Sequence, residues 1–153
     1  MKILIDADAM PVVVREILFR AAMRTGCELV LVANDTLRHP SSPLISNIVV
    51  PQGPDEADDK ITEIVKEGDL VITADIPLAD RVISKGAYCI DPRGTILTKE
   101  NIKERLAMRD LMQELRDGGI ETTGPSAYTA RDRQNFANQL DRFLTKNLKE
   151  RNI

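Results

Sequence analysis

The sequence contains no tryptophan, one histidine, two cysteines, two tyrosines and three phenylalanines among its 153 residues. With 42% apolar residues, such a chain must build its core from aliphatic side chains. Cys27 and Cys89 lack metal-type spacing, so we expect buried, reduced thiols. Every apolar run is far shorter than the ~20 residues that a membrane span needs. No apolar signal region precedes Asp6, and we therefore expect a cytoplasmic protein without membrane contact.

Strand-like and helix-like segments alternate along residues 1–91, which predicts an α/β fold. We expect one domain over 1–153, with a mostly parallel sheet of about five strands flanked by helices. A sheet core (1–91) is followed by a C-terminal helical extension (98–153) of two extra helices, separated by a loop over 120–128. The predicted strands are 2–6, 28–33, 47–51, 70–74 and 87–90. The predicted helices start at Pro11, Pro54, Pro77, Thr98 and Thr129.

The first predicted strand ends on two acids, Asp6 and Asp8, separated only by Ala7. Ligands bind at the carboxyl ends of strands in open α/β sheets. Two carboxylates there repel each other unless a positive charge lies between them, and a hard cation such as Mg²⁺ or Mn²⁺ meets that need. The alternative is that one acid only caps the following helix, because Asp is a favoured N-cap.

Further acids are expected at the same edge of the sheet. Asp75 closes the fourth predicted strand, and Asp55 and Asp58 begin the second predicted helix. Short right-handed crossovers bring these positions to one edge. Several ionised carboxylates there would cost several kcal/mol of repulsion without a cation, and two metal ions could bind a phosphodiester and activate water. The candidate metal ligands are therefore Asp6, Asp8, Asp55, Asp58 and Asp75.

Charge is unevenly distributed, although the net charge is only −3 and gives no basic footprint for nucleic acid. Residues 55–69 carry seven acids against two lysines, and residues 129–151 carry six basic residues against three acids. An acidic site beside a basic helix suits a metal and a polyanion, although two solvated helix faces would give the same counts. The candidate phosphate contacts are Asn34, Arg93, Arg131 and Arg133. A turn residue at Asn34 and a surface turn at Arg93 are the simpler alternatives.

Residues 1–91 resemble PIN-like domains, including the NYN group, through three sequence pieces. These are Ile5-Asp6-Ala7-Asp8, Asp55-Glu56-Ala57-Asp58 and Ile72-Thr73-Ala74-Asp75. The whole chain resembles the bacterial YaiI/YqxD family more closely, also through Arg93-Gly94 and Asp132-Arg133-x-x-Phe136. The resemblance to PIN-like nucleases implies that Asp6, Asp58 and Asp75 are the catalytic, metal-holding acids. The chain has Pro77 and Leu78 where NYN nucleases commonly show another Asp.

Three functions are compatible with these residues. The first is a Mg²⁺- or Mn²⁺-dependent nuclease that acts on RNA in preference to DNA, with a possible homo-oligomeric state. The second is a haloacid-dehalogenase-like phosphatase with Asp6 as nucleophile, although Met10 and the absence of the late lysine and paired-acid motif depart from its pattern. The third is a non-catalytic nucleic-acid-binding or regulatory protein. Scarce aromatics count against sequence-reading recognition of single strands.

Overall fold

A six-stranded sheet forms the centre of the structure, a computed structural model that describes residues 1–122 and 127–151, with side chains described as far as residue 148. The strand order is β3-β2-β1-β4-β5-β6. The first five strands of that order run parallel, and β6 pairs antiparallel with β5. The strands are β1 Lys2–Asp6, β2 Glu28–Ala33, β3 Ile45–Val49, β4 Leu70–Ile72, β5 Tyr88–Ile90 and β6 Ile96–Leu97. The predicted single α/β domain with a mostly parallel sheet is confirmed.

In the described part of the chain, five helices and one 3₁₀ turn connect and cover the strands. They are the 3₁₀ turn Ala7–Ala9, α1 Val12–Thr25, α2 Glu56–Ile64, α3 Ile76–Ser84, α4 Lys99–Asp117 and α5 Ala130–Arg151. Thr98 caps the start of α4, as predicted, and exchanges hydrogen bonds with Asn101 in a capping box. Residues 123–126 of the predicted loop 120–128 lie outside the described residues.

Both faces of the sheet are covered, which explains why β1 is apolar throughout. Alternate side chains of a strand point to opposite faces. Ile3 and Ile5 pack with α1 and α5, whereas Leu4 packs with α2 and α3. Phe136 and Leu140 of α5 are fully buried in the first of these cores. The last helix of the predicted C-terminal extension is therefore part of the main hydrophobic core.

Several predicted boundaries are wrong by a few residues, and one strand was not predicted. The third strand spans Ile45–Val49 instead of 47–51, and β4 ends at Ile72, because Thr73 Oγ1 accepts a hydrogen bond from Asp75 N and turns the chain. The second helix starts at Glu56, two residues after the predicted start at Pro54, and ends at Ile64. The sixth strand, β6, is too short to show any alternation of polar and apolar residues.

The two cysteines are buried and free, as predicted. Burial raises the pKa of the Cys27 thiol to about 11 and that of Cys89 to about 12, so both stay protonated at neutral pH. Within residues 1–122 and 127–151, no helix combines the length and apolar character needed to cross a membrane.

Candidate functional site

The strand order creates a cleft between the ends of β1 and β4. From β1 the chain proceeds to β2 and β3 on one side, whereas β4 and β5 lie on the other side. The loops that follow β1 and β4 therefore diverge, and such a topological switch point is where ligands bind in open α/β sheets. Asp6 is the last residue of β1, and Asp75 follows β4 by three residues.

An acidic cleft of about 350 Å³ opens at this switch point. Its lining residues are Asp6, Asp8, Ala9, Asn34, Gly53, Asp55, Ala57, Asp58 and Asp75. The structure therefore brings together all five predicted metal ligands and one predicted phosphate contact, although they come from four separate segments of the chain. We call this set the acidic cleft.

The carboxylates of Asp8 and Asp75 each accept a hydrogen bond from a backbone N–H group of a distant or following residue through one oxygen. Asp8 Oδ2 accepts a hydrogen bond from Asn34 N at 2.7 Å, which ties the loop after β1 to the end of β2. Asp75 Oδ1 accepts from Leu78 N at 3.0 Å and caps α3. Capping therefore accounts for one oxygen of Asp75. The second oxygen of each carboxylate takes no part in these bonds and is available to a ligand.

Asp55 is placed by an unusual backbone conformation. It is the only non-glycine residue with a positive φ in the described part of the chain, at 66°. It precedes α2 without making a side-chain capping bond, so capping does not explain its carboxylate. Asp tolerates the left-handed region better than most residues, yet the conformation still costs free energy. The left-handed conformation of Asp55 turns the chain so that α2 starts at Glu56, and Asp58 then lies in the first helical turn and faces the cleft.

The acids of the cleft influence one another's protonation. Burial is the main cause that raises the pKa of Asp6, with contributions from Asp8 and then Asp75, while backbone N–H groups of Ala9 and Asp8 offset part of the increase. Burial also raises the pKa of Asp58 to about 6, assisted by Asp75, Asp6 and Asp55 and opposed by Arg81. Adding negative charge here is unfavourable, so the cleft attracts cations.

The donor chemistry of the cleft fits a hard divalent cation, because carboxylate oxygens are the ligands that Mg²⁺ and Mn²⁺ prefer. The side chains of the described residues do not form a closed ligand set: no three Asp, Glu, His or Cys are positioned to enclose an ion. Carboxylates that repel one another are expected to turn apart without a cation. Ion binding would therefore require side-chain rotation of Asp6, Asp58 or Asp75 toward a common centre.

The three predicted arginines lie outside the acidic cleft. Arg93, in the turn after β5, forms an ion pair with Asp132 Oδ2 at 2.7 Å and lies over the ring of Tyr128 at 5.9 Å. This pair fastens the turn to the start of α5, where Asp132 also accepts from Thr129 N. Arg131 and Arg133 are exposed on the first turn of α5. Their predicted contacts with phosphate stay predictions.

Three cleft residues were not predicted: Ala9, Gly53 and Ala57. Each is small, so no bulky side chain at these three positions blocks the access of solvent or a ligand to the carboxylates. Gly53 has a φ of 149°, a conformation open to glycine but rarely to other residues. The run Gln52-Gly53-Pro54 between a strand and a helix is the sequence feature that could have indicated this open wall.

Comparison with known proteins assigns the family. Residues 4–146 match the family described as "Uncharacterized BCR, YaiI/YqxD family". A UPF0178 protein of Cupriavidus pinatubonensis is 56% identical over 97% of this chain and 99% of its own length. A UPF0178 protein of Syntrophotalea carbinolica is 55% identical over 97% of this chain and 100% of its own. No solved structure matches the chain. The chain belongs to the YaiI/YqxD family.

Proposed function

We propose that this protein is a divalent-metal-dependent nuclease that hydrolyses phosphodiester bonds, with RNA preferred over DNA. One observation carries the proposal: Asp6, Asp58 and Asp75 reach the same cleft from three separate segments, and burial with mutual repulsion raises the pKa of Asp58 to about 6. Carboxylates whose pKa is raised by burial and by neighbouring charges in a cleft are typical of functional sites. The resemblance to PIN-like domains supports the same three residues.

The residues divide into ligands and supports. Asp6, Asp58 and Asp75 would hold Mg²⁺ or Mn²⁺, with Asp8 and Asp55 assisting. The ion would supply charge neutralisation at the phosphate and activation of water. Asp8 accepts a hydrogen bond from the backbone N–H of Asn34 and so holds the backbone of Asn34 at the cleft. The side-chain amide of Asn34 is then able to hydrogen-bond a phosphate oxygen.

No lysine or arginine is among the described residues that line the acidic cleft. A phosphodiester is anionic, so its binding beside five carboxylates needs positive charge from a bound cation. This feature supports metal-dependent chemistry. It does not favour the phosphatase alternative, whose site would need a lysine beside the Asp6 nucleophile.

The remaining expectations stay predictions. The basic segment 129–151 supports a nucleic-acid partner, and the cytoplasm is the proposed location. Self-association is also a prediction, which light scattering of the purified protein would measure.

The proposal is tested with the metal-stripped full chain, labelled single- and double-stranded RNA and DNA, and millimolar Mn²⁺. We expect Mn²⁺-stimulated cleavage, fastest on RNA, that falls about 10²-fold or more in Asp6→Asn, because the variant loses a ligand of the ion that would neutralise charge in the transition state. Asp59→Asn is the matched control, since this neighbouring acid is exposed, pairs with Arg81 at 3.0 Å and does not line the cleft.

The nuclease proposal fails if calorimetry detects no Mn²⁺ binding at millimolar concentration and Asp75→Asn leaves all cleavage unchanged. Hydrolysis of phosphomonoesters, with an aspartyl beryllium-fluoride adduct on Asp6, would instead establish the phosphatase. Metal binding without any cleavage would indicate the non-catalytic alternative.

A further inference from the structure

A groove runs along one side of α5, opposite the edge of the sheet formed by β5 and β6. Two adjoining cavities of about 280 and 410 Å³ form it, and both are lined by Gln139 and Arg142. It extends from the turn at Arg93 to Asn147, near the end of the described part of α5. Its polar and basic side chains from α5 are Asn135, Asn138, Gln139, Arg142, Lys146 and Asn147. We call this feature the α5 groove.

The groove is basic in an acidic protein. The chain carries 24 acids and a net charge of −3, yet no acid is among the described residues that line the groove. Arg142 and Lys146 form no ion pair with any described residue, whereas Arg93 is held by Asp132. The neighbouring acid on α5, Asp141, is paired with Arg24 on α1 and does not line the groove. The charge of the groove therefore suits a polyanion.

The floor of the groove offers a stacking surface as well as charge. Tyr88 is 46% exposed and meets Phe143 edge-on, with ring centroids 5.0 Å apart. Ile96 of β6 is exposed beside them. An exposed aromatic ring beside cations in one channel is a usual combination in single-strand nucleic-acid binding. The five carboxylates of the acidic cleft provide none of these elements.

The groove begins at the carboxyl ends of the parallel strands, where the acidic cleft also lies. The turn at Arg93 follows β5, the parallel neighbour of β4, and Asp75 follows β4. Neighbouring strands lie ~4.8 Å apart. Because β5 lies between β4 and β6, the distance from β4 to β6 across the sheet is ~10 Å. From Asn135 to Asn147 the helix rises ~18 Å, the length of about five stacked nucleotides.

We propose that the α5 groove binds the single-stranded nucleic acid that extends from the acidic cleft, with backbone phosphates at Arg142 and Lys146 and a base stacked on Tyr88. This inference rests on the proposed nuclease function and names the part of the chain that holds its substrate. It assigns the phosphate contacts to the middle and end of α5, in place of the exposed Arg131 and Arg133 on its first turn.

The test measures binding without catalysis. Fluorescence anisotropy of a labelled single-stranded RNA of about 12 nucleotides is followed in EDTA at several salt concentrations. Relative to the wild-type chain, Arg142→Gln/Lys146→Gln is expected to weaken binding about tenfold and to reduce the salt slope by about 1.4, since two phosphate contacts are lost. Tyr88→Leu is expected to weaken binding about fivefold with the salt slope unchanged, because a stacking contact is lost and a phosphate contact is not.

The matched control is Lys103→Gln/Arg105→Gln, which removes the same charge from exposed positions of α4. We expect its affinity to stay within about twofold of the wild type. The inference is overturned if both double variants lose affinity equally, if the groove variant binds normally, or if the wild-type chain does not bind RNA. A change of oligomeric state in the groove variant alone would also overturn it and would indicate an interface between copies. Failure of the nuclease proposal is read separately, from the metal-dependent cleavage of the wild type and Asp6→Asn.

Discussion

At the residue scale, Asp58 links the electrostatics of the acidic cleft to folding stability. Its pKa is raised from 3.8 to about 6 in the folded protein, mainly by burial and then by Asp75, Asp6 and Asp55. Between these two values the folded state holds a proton that the unfolded state has released. The free energy of unfolding therefore falls as the pH rises from about 4 to about 6, and the loss persists at higher pH.

Asp58→Asn should remove this loss. With a chelator present, we compare the free energies of unfolding of the variant and the wild type. The difference in favour of the variant should grow by about 1 kcal/mol from about pH 4 to about pH 7.5, a figure reduced for solvent screening. Comparing the two pH values also cancels most of the pH-independent effects of the substitution. Urea unfolding monitored by circular dichroism measures the difference. Asp110→Asn on the exposed side of α4 is the control, and an equal pH dependence in both variants would contradict the prediction.

The individual acids were predictable because each occupies a locally recognisable position. Asp6 follows an apolar strand, Asp75 follows another, and Asp58 lies in the first turn of a helix. Their partners were not predictable in the same way. The hydrogen bond from Asn34 to Asp8 and the ion pair of Arg93 with Asp132 join residues 26 and 39 positions apart. Such contacts depend on the packed fold, and local sequence patterns do not encode them.

At the element scale, Gly94 determines how closely the turn after β5 approaches α5. Its φ is 94°, and a Cβ atom there would lie 2.7 Å from the carbonyl carbon of Asn135 and 2.8 Å from its oxygen. Both obstacles are backbone atoms of a helix, which cannot move aside without displacing α5. We therefore expect Gly94→Ala to destabilise the protein by about 3 kcal/mol, as in other severe packing clashes.

Gly26→Ala is the control for Gly94→Ala because it separates backbone strain from steric contact. Gly26 also has a positive φ, 75°, but a Cβ there meets nothing within 4 Å. Its substitution should cost only about 1 kcal/mol of left-handed strain. Urea unfolding of both variants measures the difference, and equal losses would show that the approach of the turn to α5 is not what requires Gly94.

The elements themselves were mostly predictable, because strands and helices alternate between clear glycine and proline boundaries. The parallel strands that are buried on both faces appear as continuous apolar runs. β6 was missed because two residues give no periodicity, and it forms only by pairing back onto β5 through the turn at Arg93. The position of α5 within the main core was also missed, since its apolar stripe does not indicate which face of the sheet it covers.

At the scale of the whole molecule, the strand order explains why the acids meet. The sequence indicates a parallel sheet, but the order β3-β2-β1-β4-β5-β6 is a result of the folded structure. Had β4 not been placed beside β1, Asp6 and Asp75 would lie on separate parts of the sheet edge. The candidate site is therefore a property of topology, and the sequence alone could establish only that the acids share an edge.

From the proposed metal site in the acidic cleft we expect the stability of the whole molecule to respond to divalent ions in a pH-dependent manner. A ligand that binds only the folded state raises the melting temperature. At about pH 7.5, Mn²⁺ at roughly ten times its dissociation constant should add about 1.4 kcal/mol, or about 4 °C for a chain of this size. At about pH 5 the shift should be much smaller, because Asp58, with a pKa of about 6, is then mostly protonated and a proton competes with the ion.

Differential scanning fluorimetry measures these shifts against NaCl of matched ionic strength. Asp6→Asn should abolish the shift caused by Mn²⁺ at both pH values, whereas Asp59→Asn should retain it, since Asp59 does not line the acidic cleft. A shift of equal size in all three proteins would mean that the ion binds elsewhere on the acidic surface. A shift that is larger at pH 5 than at pH 7.5 would contradict carboxylate ligation, because protonation can only weaken binding by these oxygens.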